Sequence, residues 1–188
     1  MSEHGHGHGH GHGHGHRPVH SDLYTALLAE HTSAEPGPRH VVDLGAGAGA
    51  GTFALLSRFP EARVTAVDVS VEDLQRLHDR ACELGLADRV RTVQADLDAG
   101  WPDLGTADLL WASGSLHHLA DPGQVLRKIH DVLAPGGVVL LVEKAVHDGL
   151  HGGDWAPMLT EAGFTVAADR TLRDNGLQVV LARREGGK

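Results

Sequence analysis

An α/β fold, a mostly parallel sheet with helices on both faces, is what this sequence predicts, and three observations predict it. From Arg39 onward, short apolar runs alternate with amphipathic helical windows. Those runs, such as Val138 to Val142, read apolar throughout, as strands covered on both faces do. The first of them, Val41-Val42-Asp43-Leu44, breaks into Gly45-Ala46-Gly47-Ala48-Gly49-Ala50-Gly51 before an apolar-periodic segment begins. A buried strand ends in this way when a tight turn feeds a helix, and glycines there let a ligand approach without meeting a Cβ.

The elements follow in order. Leu23, Tyr24, Leu27 and Leu28 make one apolar stripe, so a short helix is expected there, capped by Ser21 or Asp22 and ended by the Pro- and Gly-bearing stretch Thr32 to Pro38. Val41 to Leu44 reads as a strand, Thr52 to Arg58 as a helix, Val64 to Val67 as a strand and Val71 to Leu84 as a helix ending near Gly85. Strands Val90 to Val93 and Leu109 to Ala112 precede a helix over Pro122 to Leu133. Pro135-Gly136-Gly137 reads as a sharp stop before the strand Val138 to Val142. A helix over Trp155 to Ala162 and strands Phe164 to Ala167 and Leu177 to Ala182 complete the chain. The short Asp174-Asn175-Gly176 link favours an antiparallel last pair.

Composition bounds the function. With 188 residues, 41 % apolar and 22 % charged, the chain suits one ordinary globular domain with a core that is stable unaided. A formal net charge of −9 with no basic face excludes a nucleic-acid backbone as the main partner. No apolar run approaches the roughly 20 residues that span a bilayer, so no membrane role is expected. The single cysteine, Cys82, excludes an internal disulfide and fits a cytoplasmic setting. It reads as a buried or half-buried spectator in its helix, and Trp101, Trp111 and Trp155 read as packing residues.

His4 to His16 alternate histidine with glycine. Such a stretch has nothing to bury, so residues 1–20 are expected to be a disordered tract and residues 21–188 the folded domain. A tag or neutral repeat and a native segment capturing metal through neutral imidazoles both remain open.

Taken together, these residues resemble the class I S-adenosylmethionine-dependent methyltransferases, over nearly all of the chain from Arg39. The family's glycine motif looks like Asp43-Leu44-Gly45-Ala46-Gly47-Ala48-Gly49. Its acidic residues ending the second and third strands match Asp68 in Val67-Asp68-Val69-Ser70 and Asp96 in Gln94-Ala95-Asp96-Leu97. Leu116-His117-His118-Leu119 and Leu133-Ala134-Pro135-Gly136-Gly137 stand where many members carry similar segments. The resemblance implies a Rossmann-like seven-stranded sheet with an antiparallel last strand and S-adenosylmethionine as cofactor, released as S-adenosylhomocysteine; the chain departs from many members in carrying only a minimal N-terminal cap helix.

It also implies cofactor contacts. Gly45, Ala46, Gly47 and Gly49 would form the turn, with Asp43 holding that turn and the methionine end. Asp68 is spaced to reach ribose hydroxyls, because a carboxylate accepts two hydroxyl donors at once. Val69 adjoins it. By the family pattern Asp96 would accept from the adenine amino group while Leu97 packs on the ring, and Ser113 would stand beside the sulfonium. A nicotinamide-dinucleotide reading is weaker, because Asp43 precedes the glycines where a pyrophosphate would sit.

The loop Ser113-Gly114-Ser115-Leu116-His117-His118 should lie at the carboxyl edge of the sheet, where ligands of open α/β sheets sit. His117 is the candidate base for an acceptor hydroxyl or amine, and His118 is expected to pack under the cofactor. Glu143 and His147 are further candidates to meet the acceptor. His147 and His151 are the candidate metal ligands, although a polar loop explains the same letters. The expected activity is methyl transfer to O, N or S of a small molecule. A non-methylating S-adenosylmethionine-binding protein, a partner subunit and a metal-handling protein are the alternatives. A thin cap makes a homodimer plausible.

Overall fold

The computed structural model describes residues 19–32, 36–144, 154–172 and 176–186. Among them, seven strands form one sheet in the order β3-β2-β1-β4-β5-β7-β6. The strands are β1 (His40–Leu44), β2 (Arg63–Asp68), β3 (Val90–Gln94), β4 (Ala107–Ser113), β5 (Leu133–Lys144), β6 (Phe164–Leu172) and β7 (Leu177–Arg184). The helices are α1 (Val19–His31), α2 (Ala50–Arg58), α3 (Val71–Glu83), α4 (Pro122–Val132) and α5 (Trp155–Glu161). Neighbouring strands run parallel from β3 through to β5, and β7 runs antiparallel to both β5 and β6. The apolar runs and the expected last pair therefore sit as the sequence predicts.

Alternating side chains of the central strands feed two cores. Val41, Leu109, Trp111, Leu140 and Val142 face one side, where Tyr24, Leu27 and Leu28 of α1 and Leu55 and Leu56 of α2 cover them. Leu77 of α3 packs on the same side against Ala46 and Ala66. Val42, Leu44, Leu110, Ala112, Val139 and Leu141 face the other side, under Leu126 and Ile129 of α4 and Trp155 and Leu159 of α5. None of the helices among the described residues is long and apolar enough to cross a membrane.

Three local expectations need correction. Helix α1 begins at Val19, so Ser21 and Asp22 lie in its first turn and not at its cap position. Pro135-Gly136-Gly137 is not a stop before β5. The strand starts at Leu133, opposite Ala107, and resumes its pairing at Val138 opposite Leu109, so the triplet is a bulge inside it. A Cβ on Gly137 would stand 2.8 Å from the Ala134 carbonyl oxygen, which is why the bulge needs glycine there. Cys82 is exposed, on the outer face of α3, with its sulfur 3.6 Å from His78 Nε2. The first turns of α3 and α4 are set by side-chain caps that the apolar pattern alone did not reveal: Ser70 accepts from Asp73 N at 3.2 Å and Asp121 from Gln124 N at 2.8 Å. The His/Gly tract, His147, His151 and the residues Asp174 and Asn175 lie outside the described residues.

Candidate active site at the carboxyl edge

Parallel strands deliver their carboxyl ends to one edge, and the predicted residues meet there. β1 ends at Leu44, and the amides of Gly45 and Ala46 turn onto the Val67 carbonyl of β2, at 2.8 and 3.0 Å. Gly45, at φ +71°, passes so close to the next wall that a Cβ would lie 2.2 Å from Ser115 Cβ. Gly47, by contrast, faces open space, and its backbone N–H donates to Asp68 Oδ2 at 2.8 Å. The other oxygen of Asp68 accepts from Ser70 N at 2.9 Å. The carboxylate thus closes the glycine turn from the end of β2.

A cavity of about 370 Å³ opens in front of this turn, walled by Gly45, Asp68, Val69, Asp96, Leu97, Ser115, Leu116, His118 and Leu119. Val69 is 61 % exposed, an apolar side chain spread on the rim next to the Asp68 carboxylate. Across the cavity Asp96 is exposed, and its Oδ1 accepts from Asp98 N at 3.0 Å. Asp98 in turn accepts from Ala120 N at 2.9 Å and so joins the third-strand wall to the end of the histidine loop. Sequence reasoning missed Asp98, since nothing in an acidic loop distinguishes a staple from a solvated charge. A larger cavity, about 530 Å³, lies at the opposite edge among residues such as Pro38, Arg39, Asp108, Gly136 and Arg183. It holds none of the predicted site residues, and the amino ends of the strands offer it no glycine turn.

Asp43 does not reach the cavity. It is 1 % exposed, on the α2 face of the sheet, and accepts from Thr52 Oγ1 at 2.6 Å. Its carboxyl fastens the first turn of α2 to the end of β1. Burial pushes its pKa up to about 7, the Thr52 hydroxyl opposing and the nearby Asp68 charge adding to the rise.

The histidine loop is a short 3₁₀ turn, Leu116–His118, following β4. Glu143, at the end of β5, is fully buried and governs it. Its Oε1 accepts from the Ser115 and Leu116 amides, each at 3.0 Å, and its Oε2 lies 2.6 Å from His117 Nδ1. Fully buried behind these three contacts, the Glu143 carboxylate is turned to the loop and does not line the cavity. The signal was present: a charged residue closing an apolar strand must find buried partners. His117 is 9 % exposed in its side chain, with Nε2 as the ring nitrogen not taken by Glu143. His118 is exposed and lines the cavity, its ring centroid 3.9 Å from that of His117. Leu116 fills the core beneath the turn.

The donor set fits the nucleoside end of S-adenosylmethionine. Asp68 and Asp96 present carboxylate oxygens from the ends of neighbouring strands, Val69 and Leu97 add apolar surface, and the glycine turn leaves backbone room.

Residues 42–139 match the family described as "Methyltransferase domain". The trans-aconitate 2-methyltransferase of Paracidovorax citrulli (strain AAC00-1) is 42 % identical over 105 residues, covering 54 % of this chain and 37 % of that protein. The 27-O-demethylrifamycin SV methyltransferase of Amycolatopsis mediterranei (strain S699) is 31 % identical over 141 residues, covering 74 % of this chain and 47 % of that protein. The chain thus spans less than half the length of either relative. The solved structure of the [4+2]-cyclase SpnF superposes with a TM-score of 0.74 over 88 % of this chain and 81 % of that one, at 22 % identity. That likeness concerns the fold. The chain belongs to the class I S-adenosylmethionine-dependent methyltransferases.

Proposed function

We propose that this domain moves a methyl group from S-adenosylmethionine to a hydroxyl of a small-molecule acceptor, with His117 as the base. The observation that carries the reading is the His117–Glu143 pair at 2.6 Å, at the carboxyl edge beside the cofactor crevice. Bound cofactor supplies a methyl on a sulfonium, already activated for transfer. What remains for the protein is to hold the acceptor in line and to take its proton.

Each residue then has a task. Asp68 accepts from the ribose hydroxyls while continuing to hold Gly47, and Asp96 accepts from the adenine amino group with its second oxygen. Val69 and Leu97 flank the ring. Gly45, Ala46, Gly47 and Gly49 shape the methionine end, and Ser113 closes the strand beside it. Asp43 acts from below, by holding the start of α2. Glu143 would accept a hydrogen bond from Nδ1–H and so orient the ring, leaving Nε2 as the nitrogen that could take the acceptor's proton. His118 lines the crevice and offers a second contact to the acceptor. The named acceptors of the relatives, trans-aconitate and a rifamycin, support a small molecule as the class.

A hydroxyl acceptor is favoured over a carboxylate because only the former carries a proton for His117 to remove. The test is release of S-adenosylhomocysteine with a panel of small alcohols, phenols, amines, thiols and carboxylates, trans-aconitate included, for wild type and His117→Ala. The expected result is turnover of hydroxyl acceptors that falls about 10²–10⁴-fold in the variant, with cofactor affinity retained. Turnover confined to carboxylates and unchanged in His117→Ala would overturn the assignment of the base.

A further inference from the structure

The loop that carries His117 is fastened from both faces of the sheet, and one fastener belongs to the cap helix. Glu143 holds it from the α4 face, through two amides and the His117 ring. On the other face, the Ser113 hydroxyl donates to the Tyr24 hydroxyl at 2.8 Å, a contact spanning 89 residues of sequence. Trp111 and Ser113 share that face because they stand two apart on β4. The Tyr24 ring lies edge-on to Trp111, centroids 5.0 Å apart at 74°.

Ring packing of this kind would be met by phenylalanine. A hydroxyl on a side chain only 9 % exposed carries a desolvation cost that a specific partner must offset. Its partner is the last residue of β4, immediately before the loop, where Gly114 N bonds the Val142 carbonyl and Ser115 Oγ bonds the Leu44 carbonyl, each at 2.9 Å. Burial, and then the Asp43 and Glu143 carboxyls, raise the Tyr24 pKa against the Ser113 hydrogen bond, so the hydroxyl stays neutral and the contact persists across the working pH range.

We propose that Tyr24 is a positioning residue, through which helix α1 sets the His117 loop by way of Ser113. The proposal rests on His117 being the base. With the Tyr24 contact in place, the loop has one seating, in which Glu143 meets Nδ1. Without it, the last residue of β4 loses its side-chain hydrogen bond on the α1 face, and the Glu143–His117 geometry loosens.

The test uses the full chain, ¹⁵N-labelled, free and saturated with S-adenosylhomocysteine. Tyr24→Phe keeps the ring, Ser113→Ala removes the donor, and the double variant closes the cycle. Ring ¹⁵N shifts of His117, identified by their loss in His117→Gln, report which nitrogen carries the proton. In wild type the proton sits on Nδ1. In either single variant the signals move toward a mixture of tautomers, and the Ser115 and Leu116 amides exchange about ten-fold faster, the scale of one neutral hydrogen bond. The double variant adds nothing further. An unchanged tautomer and unchanged exchange in the single variants overturn the proposal, as does an additive loss in the double. Should Tyr24→Phe fail to fold, Ser113→Ala decides alone. A wild type that binds no S-adenosylhomocysteine in calorimetry defeats the methyl-transfer reading instead, and the Tyr24 coupling is then still read on the free protein.

Discussion

Gly45 and Gly47 stand two residues apart in one turn, yet they are constrained by different things. Gly45 must have no Cβ because Ser115 occupies its place, and it also holds φ +71°. Gly47 has φ +51°, but a Cβ there would meet nothing within 4 Å. Gly45→Ala should therefore lower unfolding stability by about 2–4 kcal/mol, from overlap and left-handed strain together, and Gly47→Ala by about 1 kcal/mol, from strain alone. Urea unfolding of both variants measures the difference. Asp43 makes a second case at this scale. Its pKa rises on folding, from 3.8 to about 7, chiefly through burial. The folded state therefore binds the proton more tightly than the unfolded state. The associated stability is complete below about pH 4 and is lost as pH rises through about 7. Asp43→Asn keeps an acceptor for Thr52 and removes the titration. Its stability relative to wild type should improve between about pH 4 and pH 8, by on the order of 2–4 kcal/mol. A flat difference across that range would contradict the raised pKa.

At the scale of elements, the strand ends do the positioning. β5 carries Glu143 to the loop after β4, so two neighbouring parallel strands build the turn that holds His117. Glu143→Ala would strand three donors in a buried place and should cost about 3–5 kcal/mol in thermal unfolding, whereas Glu143→Gln, which retains one acceptor oxygen, should cost less than half of that. How much was legible beforehand follows from the physics of each element. Buried parallel strands announce themselves by unbroken apolar runs, and Val41, Val64, Leu109 and Val139 all lie where those runs placed them. Asp68 and Asp96 were legible because a strand end followed by an acid is a local pattern. Tyr24 on Ser113, Glu143 on His117 and Asp98 on Ala120 are long-range contacts, with no periodicity to betray them. Tyr24 read only as one member of an apolar stripe. The start of α1 at Val19 was missed because the residues before Leu23 carry no apolar repeat.

At the scale of the whole molecule, the sheet order sets what the domain can do. The crossing from β1 to β2 on one side and to β4 on the other opens the crevice above β1, at the switch in strand order. The glycine turn, the Asp68 wall and the histidine loop all border that opening, and α1 is what the cap contributes among the described residues. In the proposed function this crevice would take S-adenosylmethionine through the Asp68 carboxylate. Calorimetric titration of wild type and Asp68→Ala with S-adenosylmethionine reads that step alone. A one-site isotherm is expected for wild type, weakened in the variant by about 1.5–3 kcal/mol, the scale of a hydrogen bond to a charged group. Equal affinity in the two proteins, or no binding by a folded wild type, would contradict it.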